Sequence, residues 1–268
     1  MTSTLLKHEW LRTRAPLGAL FGIITLVVLL GCLLLPLGSI LATFGLIVAV
    51  GAAILLVPAA QLLLTTDFWR SGFGRTGYFT QSLPVRGGTV FRAKLGWNVI
   101  ASLAALVWAV VLGLVIRQVA VWSLDAAPPG PRELWQQATD AMPAWMLLAL
   151  ALLFLAYLVV WPIFYYFSVS IGHEKRFAGL GAGGPIVVFV GVYLAVQVVT
   201  FLGLLVIPFG IGMDGNQLGV IPFHLLDEMT VGTSSSDVMP LGVVVVLVIA
   251  AVCLWRSVRS WNHKIALR

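Results

Sequence analysis

The chain has 268 residues, 60% of them hydrophobic and 10% charged, with a mean hydropathy of +1.03. Soluble domains carry roughly 25% charged residues, so this composition excludes a soluble fold. The formal charge of +6 does not point to nucleic acid, because the cations gather beside apolar stretches.

A helix needs roughly 20 apolar residues to cross about 30 Å of hydrocarbon. Six stretches qualify, and they predict an all-α membrane protein with one transmembrane domain over residues 1–268. Met1–Ala15 comes first, with Leu6 and Trp10 on one face and Lys7, His8, Arg12 and Arg14 suited to water or headgroups. It reads as a retained helix lying in the interface, residues 1–15. The spans follow at about 17–35, 40–64, 95–116, 144–166, 185–207 and 240–255. Pro36-Leu37-Gly38-Ser39 makes a short turn between the first two. Arg117–Pro143 forms the next outer segment, where Pro131 marks a helix start with Leu134, Ala138 and Met142 on one stripe. Trp161-Pro162 reads as a kink in the fourth span. Gly179–Gly184 reads as a flexible entry to the fifth. Pro208–Met239 is the last outer segment, rich in acids, with an apolar patch able to dip back into the membrane.

This layout puts fourteen of the sixteen Lys and Arg on the side of the termini and two, Arg117 and Arg132, on the other. Cations next to spans resist translocation, so both termini and residues 67–94 are expected in the cytoplasm. That interval carries Arg70, Arg75, Arg86, Arg92 and Lys94 against Asp67 alone. Pro84 sets a turn at its centre, and Gly87-Gly88 loosens its exit. It reads as a handle by which a soluble partner moves the membrane part.

Catalytic signals are few. His8, His173, His224 and His263 are scattered, with no pair at helical spacing for zinc. His173-Glu174-Lys175-Arg176 reads as a solvated or partner-facing loop. Gly179–Gly184 lacks the Gly-Lys-Ser/Thr that a phosphate loop needs, so no catalytic, cofactor or metal residue is assigned. Cys32 and Cys253 read as small buried apolar residues. Gly18-x-x-x-Gly22 permits close helix approach. The Trp residues near span ends (Trp69, Trp97, Trp122, Trp145, Trp255, Trp261) read as interface anchors. No carboxylate or histidine falls inside a span as an ion relay would require. Gln61, Asn98, Gln197 and Thr200 either line a substrate path or hydrogen-bond between helices, at about 1 kcal/mol each.

An N-terminal helix of the type LLKHEWLRTR (Leu5–Arg14), six spans, and SLPVRGGTVFRAK (Ser82–Lys94) after the second span together resemble the ABC-2 type permeases. These are the membrane subunits of bacterial ABC exporters, with an ABCG-like six-span half. The resemblance implies that Gly77–Ser82 docks into a cleft of a separate cytoplasmic ABC ATPase. The implied contacts are Arg75, Gly77, Tyr78, Phe79, Thr80, Leu83, Pro84 and Arg86, braced by Leu6, Trp10 and Arg12. It also implies re-entrant helices within 208–239, no cofactor in this chain, and ATP with magnesium on the partner. A second permease copy or sister chain would complete the path in the bacterial cytoplasmic membrane. The apolar spans suit an amphipathic cargo such as a drug, peptide antibiotic or lipid. An ion-driven carrier or channel, and a membrane-embedded enzyme or sensor scaffold, are the alternative readings.

Overall fold

Hydrocarbon offers a peptide group no partner, so an apolar chain must satisfy its N–H and C=O groups internally, and helices do so segment by segment. The computed structural model describes residues 2–74, 86–123, 129–141, 144–174, 176–181, 183–214, 217–223 and 239–263. Among them are seven α-helices: α1 Thr2–Leu33, α2 Ser39–Phe73, α3 Gly87–Ser123, α4 Pro131–Ala141, α5 Ala144–Gly172, α6 Gly183–Val206 and α7 Val245–His263. All but α4 are long and apolar enough to cross a membrane. The protein is a multi-pass membrane protein with six candidate spans. The helices gather into two compact units, the first running to Gln137 and the second over Ala138–Ala266.

In the first unit α1, α2 and α3 pack against one another. Small side chains fill the seam: Ala49, Ala60 and Ala105 are fully buried beside Val28 and Leu56. Near one end α1 and α2 cross at glycines. A Cβ on Gly31 would stand 2.7 Å from the Gly45 carbonyl oxygen, so no larger residue fits there. Small residues allow this approach, and dispersion and packing hold it. The α1–α2 turn closes at Gly38, whose φ of 109° favours glycine. Gly18 and Gly22 are different. A Cβ at either meets nothing within 4 Å, so this pair packs against nothing among the described residues.

The second unit packs α5 against α6 and α7. It adds a small antiparallel sheet of β1 Phe209–Asp214, β2 Gln217–Pro222 and β3 Met239–Pro240, in the order β2-β1-β3. Phe209 pairs with Pro222, Asp214 with Gln217, and Gly210 with Pro240.

Four expectations change. The separate helix over residues 1–15 is the first part of α1, which continues through Pro16. Pro16 denies a hydrogen bond to the Arg12 carbonyl, but the flanking turns carry the helix on. Both described ends of the interval 67–94 are helix: α2 runs to Phe73 and α3 starts at Gly87, so Gly87-Gly88 opens a helix instead of loosening a loop. With 32, 35 and 37 residues, α1 to α3 reach roughly 48–56 Å at about 1.5 Å per residue, well beyond the hydrocarbon. Phe209–Asp214 and Gln217–Pro222 pair as antiparallel strands where re-entrant helices were expected, and residues 224–238 of that segment lie outside the described residues. The sixth span starts at Val245, because Leu241–Val244 is a tight 3-10 turn. A Cβ on Gly242 would lie 2.7 Å from the Gly203 backbone. The expected helix at Pro131 is present. Pro131 occupies its first turn, and the Glu133 carboxylate accepts the Gly130 N–H at 2.9 Å.

Candidate functional site

The ends of α2 and α3 flank residues 75–85, and the start of α1 lies against both. Lys94 on α3 is 2% exposed and donates to Glu9 Oε1 on α1 at 2.9 Å and to Ser71 Oγ on α2 at 2.9 Å. Arg12 bridges Glu9 and Asp67, joining α1 to α2 a second time. One turn further along, the Trp97 indole N–H donates to Thr13 Oγ at 2.9 Å. The Trp10 ring stands edge-on to Trp97, with centroids 5.6 Å apart. Two carboxylates and two cations thus tie three helices at one end. A buried lysine is costly unless paired and hydrogen-bonded, and here it is both.

The expected partner contacts fall into three groups. Leu6 packs against the unit's apolar core, Trp10 is half exposed, and Arg12 is an exposed member of the ion cluster. Arg86 is exposed and caps α3, its carbonyl accepting the Thr89 N–H at 2.8 Å. Arg75, Gly77, Tyr78, Phe79, Thr80, Leu83 and Pro84 lie outside the described residues.

The expected path residues divide as well. Asn98 is fully buried and donates to the Gln61 carbonyl oxygen at 3.5 Å, while Ser102 donates to the Asn98 carbonyl oxygen at 2.8 Å. Gln61 and Asn98 therefore sit inside the α2–α3 seam. Gln197 and Thr200 come together in the second unit. With Tyr157, Trp161, Phe164 and Phe189 they line a half-open cavity of about 290 Å³ between α5, α6 and α7.

The second unit has its own clamp, which the sequence reading missed. Glu174, expected in a solvated loop, accepts two bonds from Arg256 at 2.8 and 2.9 Å and one from Ser260 at 2.8 Å. The Trp261 indole N–H donates to Ser170 Oγ at 3.0 Å. Trp97 and Trp261 are thus buried structural donors, whereas Trp122 and Trp255 are exposed as anchors should be. His173 bonds the Val169 carbonyl through Nδ1 at 2.8 Å. Burial holds it below the ordinary histidine range, with that bond opposing the shift in part. At neutral pH it adds no charge to the clamp.

The clue to both clamps was available. Glu9, Asp67 and Glu174 are the acids on the cation-rich side, and an acid beside an apolar helix calls for a partner. Among the described residues no group of three His, Cys, Asp or Glu is placed to hold a metal. Cys32 and Cys253 are buried and free. No family profile, characterised protein or solved structure matches this chain.

Proposed function

We propose that the chain is the membrane-spanning permease subunit of an ATP-driven exporter of the ABC-2 type. A separate cytoplasmic ATPase would supply the energy through residues 75–86. The cluster Glu9–Arg12–Asp67–Lys94 is the observation that carries this reading. It fastens the residues expected to brace the ATPase contact to the two helix ends from which residues 75–85 emerge. A push on that segment then reaches three spans at once, as rigid-body alternating access requires. The sequence has no phosphate loop, so the work must come from a bound partner. Six crossings would return the chain to its starting side, placing both termini with the cations. A second copy or sister chain would complete the path, in a bacterial cytoplasmic membrane.

The test is co-purification in mild detergent followed by reconstitution. A nucleotide-binding subunit should accompany the chain, and export from vesicles should need ATP and be stopped by vanadate. Uphill transport by the purified chain alone, driven by an ion gradient, would overturn the proposal in favour of a secondary carrier.

A further inference from the structure

Helix hydroxyls in apolar surroundings usually bond their own backbone. Here Thr25, Thr43, Thr65, Ser168, Ser170 and Ser257 all donate to the carbonyl four residues back, at 2.7–2.9 Å. Thr200 does not. Its Oγ is buried and has no hydrogen-bond partner among the described residues. Thr200 lines the cavity between α5, α6 and α7, and a buried hydroxyl left this way calls for an explanation.

The surroundings say what kind of partner fits. Two lining rings, Trp161 and Phe189, are linked through Tyr165, which is not itself a lining residue: Trp161 lies 6.1 Å from Tyr165, and Tyr165 lies 5.3 Å from Phe189, both pairs tilted by 32°. Phe164 meets Trp161 edge-on at 6.3 Å. Such faces take another aromatic ring in offset or edge-on contact. One turn from Thr200, Gln197 Nε2 donates to Tyr193 Oη at 3.0 Å, so these two polar groups already satisfy each other in part. Among the described residues no Asp, Glu, Lys, Arg or His lines the cavity, and a charged group buried there would go uncompensated. The volume is at the small end for ligand sites.

We propose that this cavity binds a neutral aromatic molecule of two linked or fused rings carrying one hydrogen-bond acceptor. The acceptor takes the Thr200 hydroxyl, and the rings lie against Trp161 and Phe189. Trp161 and Tyr193 are partly exposed, which leaves a side entrance open to a molecule dissolved in the bilayer. Calling this molecule the cargo rests on the transport reading above; its binding does not.

Benzophenone supplies both the rings and a ketone acceptor, and on irradiation it bonds to nearby C–H groups. The purified full chain in lipid nanodiscs is irradiated with it and the adducts are mapped by mass spectrometry. Labelling should saturate and fall on the lining positions Val160, Phe164, Phe189, Val192 and Val196. Thr200→Val should weaken half-saturation about tenfold, the equivalent of one hydrogen bond, and Thr200→Ser should restore it. Phe189→Trp, which fills the space, should abolish labelling while the chain stays monodisperse. Unsaturable labelling spread over Leu194 and Val198 would overturn the proposal, since that pattern reports partition into lipid. Wild-type behaviour of Thr200→Val, or a phospholipid held in the cavity and not displaced by benzophenone, would also overturn it. Loss of this labelling leaves the ATPase co-purification unaffected, and failure of co-purification leaves the labelling unaffected.

Discussion

Replacing Glu9 by Gln tests whether the ion cluster is a structural clamp. The change keeps shape and hydrogen-bonding capacity but removes the charge facing Lys94 Nζ at 2.9 Å. Lys94 is 2% exposed and Glu9 is 13% exposed, so neither charge is screened well by water. Breaking such a pair by removing one member costs about 3–5 kcal/mol. The Ser71 hydroxyl still accepts from Lys94, so the lower end applies, about 3 kcal/mol. For a unit of this size that is a fall of about 6–12 °C in the thermal midpoint. Lys94→Met should cost less, because Arg12 still bridges the two carboxylates left behind and both are nearer water than Lys94. The double variant should regain part of the Glu9→Gln loss. The assay is intrinsic tryptophan fluorescence on heating in detergent, which Trp97 beside the cluster should report. An unchanged midpoint for Glu9→Gln would refute the argument, as would Lys94→Met being the worse of the two.

Arg86 caps α3, where the helix dipole disfavours a cation and an aspartate is preferred. Arg86→Asp should therefore raise stability by about 1 kcal/mol while lowering vanadate-sensitive export. A variant that is more stable and still exports would remove Arg86 from the partner contact. Gly45→Ala should cost about 1–3 kcal/mol by forcing a methyl against the Gly31 backbone, whereas Gly18→Ala should be neutral or slightly stabilising; equal thermal midpoints for the two would refute the crossing. Because Cys32 and Cys253 are buried, background labelling is low, and Asp227→Cys should react with an impermeant maleimide from outside while Arg75→Cys should not. Reversed labelling would invert the topology.

The six apolar helices were legible because hydropathy alone fixes them, and α4 was legible from Pro131 and the stripe of Leu134, Ala138 and Met142. Helix ends were not. Polarity at Asp67 and Lys94 looked like loop, yet both residues are helical and paired across helices. Such pairing is a tertiary fact that one strand of sequence does not display. The hairpin was missed although its signal was present. Gly215-Asn216 between FGIGMD and QLGVIP is a two-residue turn pattern; the apolar context drew attention to membrane insertion instead. For the site, Gln197 and Thr200 were visible as polar residues in an apolar run. Their meeting with the Trp161–Phe189 wall was not, since it depends on how α5 packs on α6.

Each unit is fastened near both ends of its helices. Ion pairs with Trp-to-hydroxyl bonds hold one end, at Glu9–Lys94 with Trp97–Thr13 and at Glu174–Arg256 with Trp261–Ser170. Backbone-to-backbone glycine contacts lie at the other, at Gly31–Gly45 and Gly203–Gly242, and in the second unit one more, Gly172–Gly184, stands beside the ion pair. Charges are tolerated where headgroups and water lower their burial cost, and small residues let backbones close up without polar side chains. A helix fastened at both ends cannot easily slide along its neighbours, so each three-helix unit resists internal shear. On the proposed reading, a force delivered at residues 75–85 is then spent on moving the first unit as a body. On that reading the ion clamp converts a contact on one segment into motion of three spans. Glu9→Gln should accordingly uncouple ATP hydrolysis from export at temperatures well below its thermal midpoint, and full coupling in the folded variant would show that the clamp serves stability alone.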